Sequence, residues 1–142
     1  MADVYGRLTG RAGVCLSTLG PGATNLVTGV ADAYLDGAPL VAITGQVGTD
    51  RMQLTSHQYL DLTAMFEPIT KRSKQIIRPD TVGEIVRLAF KHAEKGKPGA
   101  THIDLPQISQ KLPADAVPLK RQQMHEVYAD PTHIAAAGKT HQ

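Results

Sequence analysis

The chain has no tryptophan and only two phenylalanines and four tyrosines among its 142 residues. Its core must therefore be built from Val, Ile, Leu and Ala, a composition common where strands are covered on both faces. A single cysteine, Cys15, excludes an internal disulfide. Flanked by Val14 and Leu16, it reads as a small core residue and suits a reducing compartment. No apolar run approaches the roughly 20 residues that cross a bilayer, and the N-terminus lacks the charged-then-apolar order of a signal peptide. Neither sign of charge dominates: 15 Lys and Arg face 13 Asp and Glu, interspersed along the chain. That leaves no electrostatic footprint for nucleic acid or an acidic membrane. A soluble, cytoplasmic protein with no nucleic-acid and no membrane partner is the expectation, and the length suits one domain plus a tail.

What is present is periodicity. Met1, Val4, Tyr5 and Leu8 fall on one helical face that ends near Gly10. This helix is in phase at residue 1 with no capping residue before it, so it reads as the remaining part of a longer helix, although Met1 is equally compatible with a genuine start. Gly13 to Leu19 is a β-prone run broken by Gly20, Pro21 and Gly22. A helix follows with Ala23, Leu26, Val27, Val30, Ala31 and Tyr34 on one face, Pro21 in its first turn and Asp36-Gly37 at its end. Leu40 to Thr44 is a buried-strand candidate stopped by Gly45, and together these segments make one βαβ unit with a parallel sheet. Residues 46 to 68 are irregular, with a helix expected around Leu60 to Phe66. Gln75 to Ile77 suggests a short strand. Val82, Ile85, Val86, Ala89, Phe90 and Ala93 mark a strong helix, with Thr81 and Glu84 at capping-box spacing and Asp80 as the alternative cap. Thr101 to Leu105 is a last strand. Past Gln107, the prolines 113, 118 and 131 interrupt a polar stretch as in a linker, and Ile134 to Ala137 could begin another helix. The fold class is thus α/β: a doubly wound, mostly parallel sheet flanked by helices.

The strongest candidate site is Ser17 to Asn25, STLGPGATN, at the carboxyl end of a strand and the amino end of a helix. Glycines and free helix N–H groups there admit a polar or anionic ligand close to the backbone. The competing reading is that Gly20 and Gly22 only make a tight turn and Asn25 sits on a solvated first turn. The stretch matches neither the dinucleotide fingerprint nor the lysine-bearing phosphate loop. Gln46, in Thr44-Gly45-Gln46, can bond a ligand or its own loop backbone, and the second is commoner. His57, Gln58, Asp61 and Lys71 lie in a loop-rich stretch where such residues are usually solvated. No metal-ligand spacing and no nucleophile elbow is visible.

The run MADVYGRLTGRAGVCLSTLGPGATNLVTGVADAYLDGAPLVAITGQ, followed in order by HQYLDLTAMFEPITK and GKPGATHIDLP, resembles the amino-terminal pyrimidine-binding domain of acetolactate synthase large subunits and related thiamine-diphosphate-dependent enzymes, over roughly residues 1 to 110. The resemblance implies an enzyme that condenses two pyruvates to 2-acetolactate with release of CO2, in branched-chain amino acid biosynthesis. A 2-keto acid is its substrate, and it is a homo-oligomer whose active site forms at a subunit interface. It further implies that Thr18, Gly20, Gly22, Asn25 and Gln46 border the cofactor's pyrimidine half and that the catalytic candidate is Gln58. Thiamine diphosphate is the cofactor, with Mg2+ bound through another domain; FAD dependence is left open. The family's glutamate, which lies before the MADVYGRLTG motif, has no counterpart here, nor does the diphosphate and metal motif, so the resemblance implies a domain lacking its first part and a polypeptide inactive by itself. Uncovered apolar faces should make it self-associate. Residues 1–110 would form the pyrimidine-binding domain, and 111–142 a linker with the possible start of a central domain. Another carboligase or decarboxylase of the superfamily, or a non-catalytic binding or assembly remnant, are the alternative readings.

Overall fold

The computed structural model describes residues 1–52, 56–113, 117–120 and 130–132. The expected helix at 134–137 lies outside the described residues, as does most of the expected 111–142 linker.

Four strands form one parallel sheet in the order β1-β2-β4-β3, where β1 is Gly13–Ser17, β2 Leu40–Gln46, β3 Ser73–Gln75 and β4 Ala100–Pro106. The α/β class follows directly. Side-chain alternation divides the core into two layers. Leu40 and Ala42 of β2 and Ala100 of β4 pack on one face with Ala23, Val30, Ala33, Leu62 and Phe66. Val41 and Ile103 pack on the other with Ala12, Ile76, Ala89 and Ala93.

The helices are α1 (Ala2–Thr9), α2 (Pro21–Thr24), α3 (Val27–Asp36), α4 (Leu62–Phe66), α5 (Val82–Glu94) and α6 (Gln107–Lys111). The first layer is roofed by α3 and α4, the second by α5. Helix α1 ends at Gly10 in the left-handed region, as its sequence suggests. Its expected apolar stripe, however, faces outward: Met1, Val4, Tyr5 and Leu8 are exposed. The helix packs instead through Gly6, where a Cβ would stand 2.3 Å from the Pro39 carbonyl oxygen, and through Ala2. Close approach of backbones decides this face.

Other expectations shift by small amounts. The long helix after Pro21 is two helices, α2 and α3, separated at Asn25 and Leu26, where the Leu26 N–H turns back to Ala23. Strand β2 runs past Gly45 to Gln46 because β4 pairs with it there. Strand β3 lies two residues earlier than the sequence suggests, set by Ser73 and Gln75 pairing with His102 and Asp104. The helix expected from Leu60 begins at Leu62, with the Asp61 carboxylate accepting the Ala64 N–H at 3.0 Å. At α5 the expected capping box does not form. A 3₁₀ turn, Pro79–Thr81, leads into the helix, and the Thr81 hydroxyl donates to the Arg78 carbonyl. Lys71 caps the other end of α5, donating to the carbonyls of Lys95 and Lys97 at 2.8 and 2.7 Å. No helix among the described residues is long and apolar enough to cross a membrane.

Candidate functional site

In a parallel sheet the carboxyl edge is where backbone groups and loop side chains converge on a ligand. Three chain segments meet there. After β1 the chain runs through Thr18 and Leu19 to Gly20, whose φ of 57° and ψ of −125° are open only to glycine. Pro21 then begins α2, and the Gly22 N–H folds back to Leu19 at 3.2 Å. After β2, Val47 and Gly48 lead into a 3₁₀ turn, Thr49–Arg51. After β4, Gln107 opens α6.

These segments enclose a cavity of about 240 Å³. Thr18 and Leu19 contribute from the first, Gly45 to Gly48 and Arg51 from the second, and Gln107 from the third. A larger cavity of about 580 Å³ lies between α5, Arg11–Ala12 and residues 118–120. It opens at the amino end of β1 and shares no residue with the strand ends that gather ligands in this fold class, so size does not make it the site.

Of the residues singled out in the sequence, Thr18 and Gln46 line the smaller cavity. Gly20 is buried beside it, and Gln58 presses on Gly20: a Cβ there would meet the Gln58 Cβ and carbonyl oxygen at 2.7 Å. Gln58 itself holds φ 61°, a left-handed conformation uncommon for a side-chain-bearing residue. The structure thus joins two candidates that are 38 positions apart in sequence. Gly22 packs against the Thr18 methyl, which a Cβ would approach to 2.5 Å, and Asn25 is exposed at the far end of α2. His57 is exposed. Gln46 is 2 % exposed with its amide already engaged: Nε2 donates to the Leu60 carbonyl at 2.9 Å, and Oε1 accepts the Val47 N–H at 3.0 Å. Of its two readings, the structure shows bonding to its own loop. Gly48, Arg51 and Gln107 are lining residues that sequence reasoning missed. Only the position of Gln107, directly after a strand-ending proline, offered a signal.

Sequence reasoning also missed a buried polar file beneath this edge. The Thr44 hydroxyl donates to Asp104 Oδ1 at 3.1 Å and lies 2.9 Å from His102 Nε2. Gln75 donates to Asp104 Oδ2 at 2.6 Å, and the Ser73 hydroxyl is 2.8 Å from His102 Nδ1. The His102 ring stacks on Phe66 with centroids 4.2 Å apart. Burial pushes His102 down to about 4, so it is neutral near pH 7. Because the only Thr44 hydroxyl proton goes to Asp104, Nε2 must carry the imidazole proton and Nδ1 must accept from Ser73. The bonds then run in one direction, from Ser73 through His102 and Thr44 to Asp104. Burial raises the Asp104 carboxyl, while the side chains of Gln75, Thr44 and Gln46 pull it back. Among the described residues, no buried side-chain nitrogen or oxygen lacks a hydrogen-bond partner.

Comparison with known proteins gives this edge a context. Residues 1–65 match the family described as thiamine pyrophosphate enzyme, N-terminal TPP binding domain. The chain belongs to the thiamine-diphosphate-dependent enzymes through that domain. Within that class, three similar proteins are named acetolactate synthases. It is 51% identical over 105 residues to a probable acetolactate synthase large subunit of Methanocaldococcus jannaschii, covering 74% of this chain and 18% of that protein. A probable acetolactate synthase large subunit of Methanococcus aeolicus is 49% identical over 114 residues, covering 80% and 19%. An acetolactate synthase of Arthrospira platensis is 43% identical over 131 residues, covering 92% and 23%. The chain therefore spans about a fifth of the length of the curated relatives it matches.

Proposed function

We propose that this chain forms the pyrimidine side of the active site of an acetolactate synthase, an enzyme that joins two pyruvates into 2-acetolactate and releases CO2, and that the 142 residues alone do not catalyse it. The observation that carries this reading is the 240 Å³ cavity at the carboxyl ends of β1, β2 and β4, two of whose three segments fall in the family match. Its size suits part of a ligand, since sites that enclose a whole drug-sized molecule measure roughly 300–1,000 Å³. The residues present fit a heteroaromatic ring: Leu19 and Val47 would supply apolar contact, and the Thr18 hydroxyl and the backbone of Gly45 and Gly48 would supply hydrogen-bonding groups.

Thiamine diphosphate, when bound, supplies the electron sink for decarboxylation of a 2-keto acid. The part played by this chain is to hold and orient the pyrimidine half, with Gln58 carried at the rim by its contact with Gly20. None of the eight lining residues is Asp or Glu. An acid–base carboxylate would have to come from elsewhere in a longer protein, and lacking such a group typically costs about 10²–10⁴-fold in rate. Magnesium would be bound through another domain, as the family resemblance implies. A cytoplasmic homo-oligomer serving branched-chain amino acid biosynthesis, with residues 1–110 as the cofactor domain, completes the reading. Edge strand β1 supports association: one face shows Val14 and Leu16 at 50% and 73% exposure.

The test is a titration of the isotope-labelled chain with thiamine diphosphate and Mg2+, followed by amide NMR, with CO2 release from pyruvate assayed alongside. Shifts at Thr18, Gly22, Gly45 and Val47 are expected, with no turnover above the uncatalysed rate. Shifts confined to Val86 and Phe90 in the larger cavity, or none, would overturn the site. Turnover would overturn the predicted inactivity.

A further inference from the structure

Gln46 lies at the cavity, yet its bonds give it a different task from ligand binding. Both ends of its amide are bound to the backbone of one loop, whose near end is Val47 and whose far end is Leu60, 14 residues from Gln46, and the same side chain also reaches the Asp104 carboxyl. Its side chain is buried at 2 % exposure, so losing it leaves the backbone groups it serves without that partner. Its orientation is fixed because the nitrogen faces an acceptor and the oxygen a donor. Two positions before Leu60 stands Gln58, the residue with φ 61° that packs on Gly20. The remaining ties in the described part of this loop are local: the Ser56 hydroxyl donates to the Arg51 carbonyl, and the Tyr59 N–H donates to the Ser56 carbonyl. Neither connects the turn at 56–60 to the sheet, whereas Gln46, at the last position of β2, does.

We infer that Gln46 is a positioning residue: its amide is a strut between β2 and Leu60 that holds the 56–60 turn, and with it Gln58, against Gly20 at the rim of the cavity. The strut leaves from the side chain of the last residue of β2 and not from its backbone ladder, so withdrawing it should free the turn while leaving the sheet intact. The inference deepens the proposed thiamine reading by naming what sets Gln58. Its geometry nevertheless stands without any ligand.

Hydrogen exchange on the full chain tests it, comparing wild type with Gln46→Met, which keeps length and removes the bonds to Val47 and Leu60 together with the interaction with Asp104. At least a tenfold acceleration is expected at the amides of Val47, Tyr59 and Leu60, while Val41, Ile43 and Ile103 in the sheet exchange at wild-type rates. A role confined to global stability would accelerate all of them together, and that result, or unchanged rates in the turn, would overturn the assignment. Should Gln46→Met fail to fold, Gln46→Glu is read the same way. It keeps the acceptor for Val47 and loses the amide donor that serves Leu60 and Asp104, so Tyr59 and Leu60 should accelerate more than Val47. A parallel titration with thiamine diphosphate separates the two readings. If wild type does not respond while the exchange pattern appears, the cofactor assignment falls and the strut stands. If wild type responds but the turn's exchange is unchanged by the variants, the strut falls and the cofactor assignment stands.

Discussion

Two clusters of charged and polar side chains tie elements of this chain together in opposite surroundings. On the surface, Arg7 bonds Asp3 within α1 and reaches Asp32 and Asp36 of α3 at 2.9 and 2.7 Å. Inside, Asp104 and His102 are bound to Thr44, Gln75 and Ser73 with essentially no exposure. The surface cluster has comparable distances and the full charges, yet water competes for every one of its bonds and salt screens them. The inner file has weaker partners and no competitor. A lost bond there leaves a donor or acceptor stranded, so the inner file should govern stability although the outer cluster looks stronger.

The largest effect should come from breaking that file at its end. Asp104→Leu leaves the Thr44 hydroxyl and the Gln75 amide without their acceptor, and should cost about 2–4 kcal/mol in chemical denaturation. A loss as small as that of a surface substitution would show that the file relaxes freely and that the contrast is illusory.

Next comes the pH dependence. His102 holds a folded-state value of about 4 against an ordinary 6.5. Between those values the unfolded chain takes up a proton that the folded chain refuses. The contribution is therefore complete above pH 6.5 and declines as pH falls toward 4, by about 3 kcal/mol in total. The raised Asp104 carboxyl has the opposite sign: its contribution is present at low pH and is lost as pH rises past the ordinary aspartate range. Denaturation midpoints at pH 4.5 and 7 should differ in favour of pH 7, and His102→Gln should shrink that difference. An unchanged difference would place the titration elsewhere.

Gly20→Ala should follow, at about 1–3 kcal/mol, because a side chain is strained at φ 57° and its Cβ meets the Gln58 backbone. Its accompanying signature is a displaced turn, read as shifted NMR resonances at Gln58 and Tyr59. Normal resonances there would mean that the contact is loose. Smallest of all is Arg7→Ala. Asp3 and Asp36 hold the guanidinium's proton more firmly, but the group is solvent-exposed. Its melting temperature should stay within the scatter of replicate measurements, and a clear drop would overturn the ranking.

The same contrast explains what could be read before folding. Helix α5, strands β1, β2 and β4, and the glycine-bounded turn after β1 were legible because each signal is local: a 3.6-residue stripe, a short apolar run, a Gly-Pro-Gly break. The candidate loop at Thr18 to Asn25 was legible for the same reason. The buried file was not, since Thr44 stands 58 positions from His102 and 60 from Asp104. Nothing in a window around His102 distinguishes a stacked, neutral imidazole from a solvated one. Nor does the stripe on α1 announce that Gly6 and Pro39 will meet, turning that stripe outward.

By itself, then, the order of residues determined the α/β alternation, the place where the chain must turn tightly at Gly20, and the family to which the chain belongs, because these depend on backbone conformational preferences and on runs of neighbouring side chains. Tertiary structure alone decided that Gln58 rests on Gly20, that Gln46 bonds its own loop, and that Asp104 ends a directed line of hydrogen bonds. Gly20 and Gln58 stand 38 positions apart, Gln46 and Leu60 14, and Thr44 and Asp104 60, and only folding brings each pair together; for Asp104 it is the pairing of β2, β3 and β4 that does so, in a place closed to the water that would otherwise satisfy its bonds.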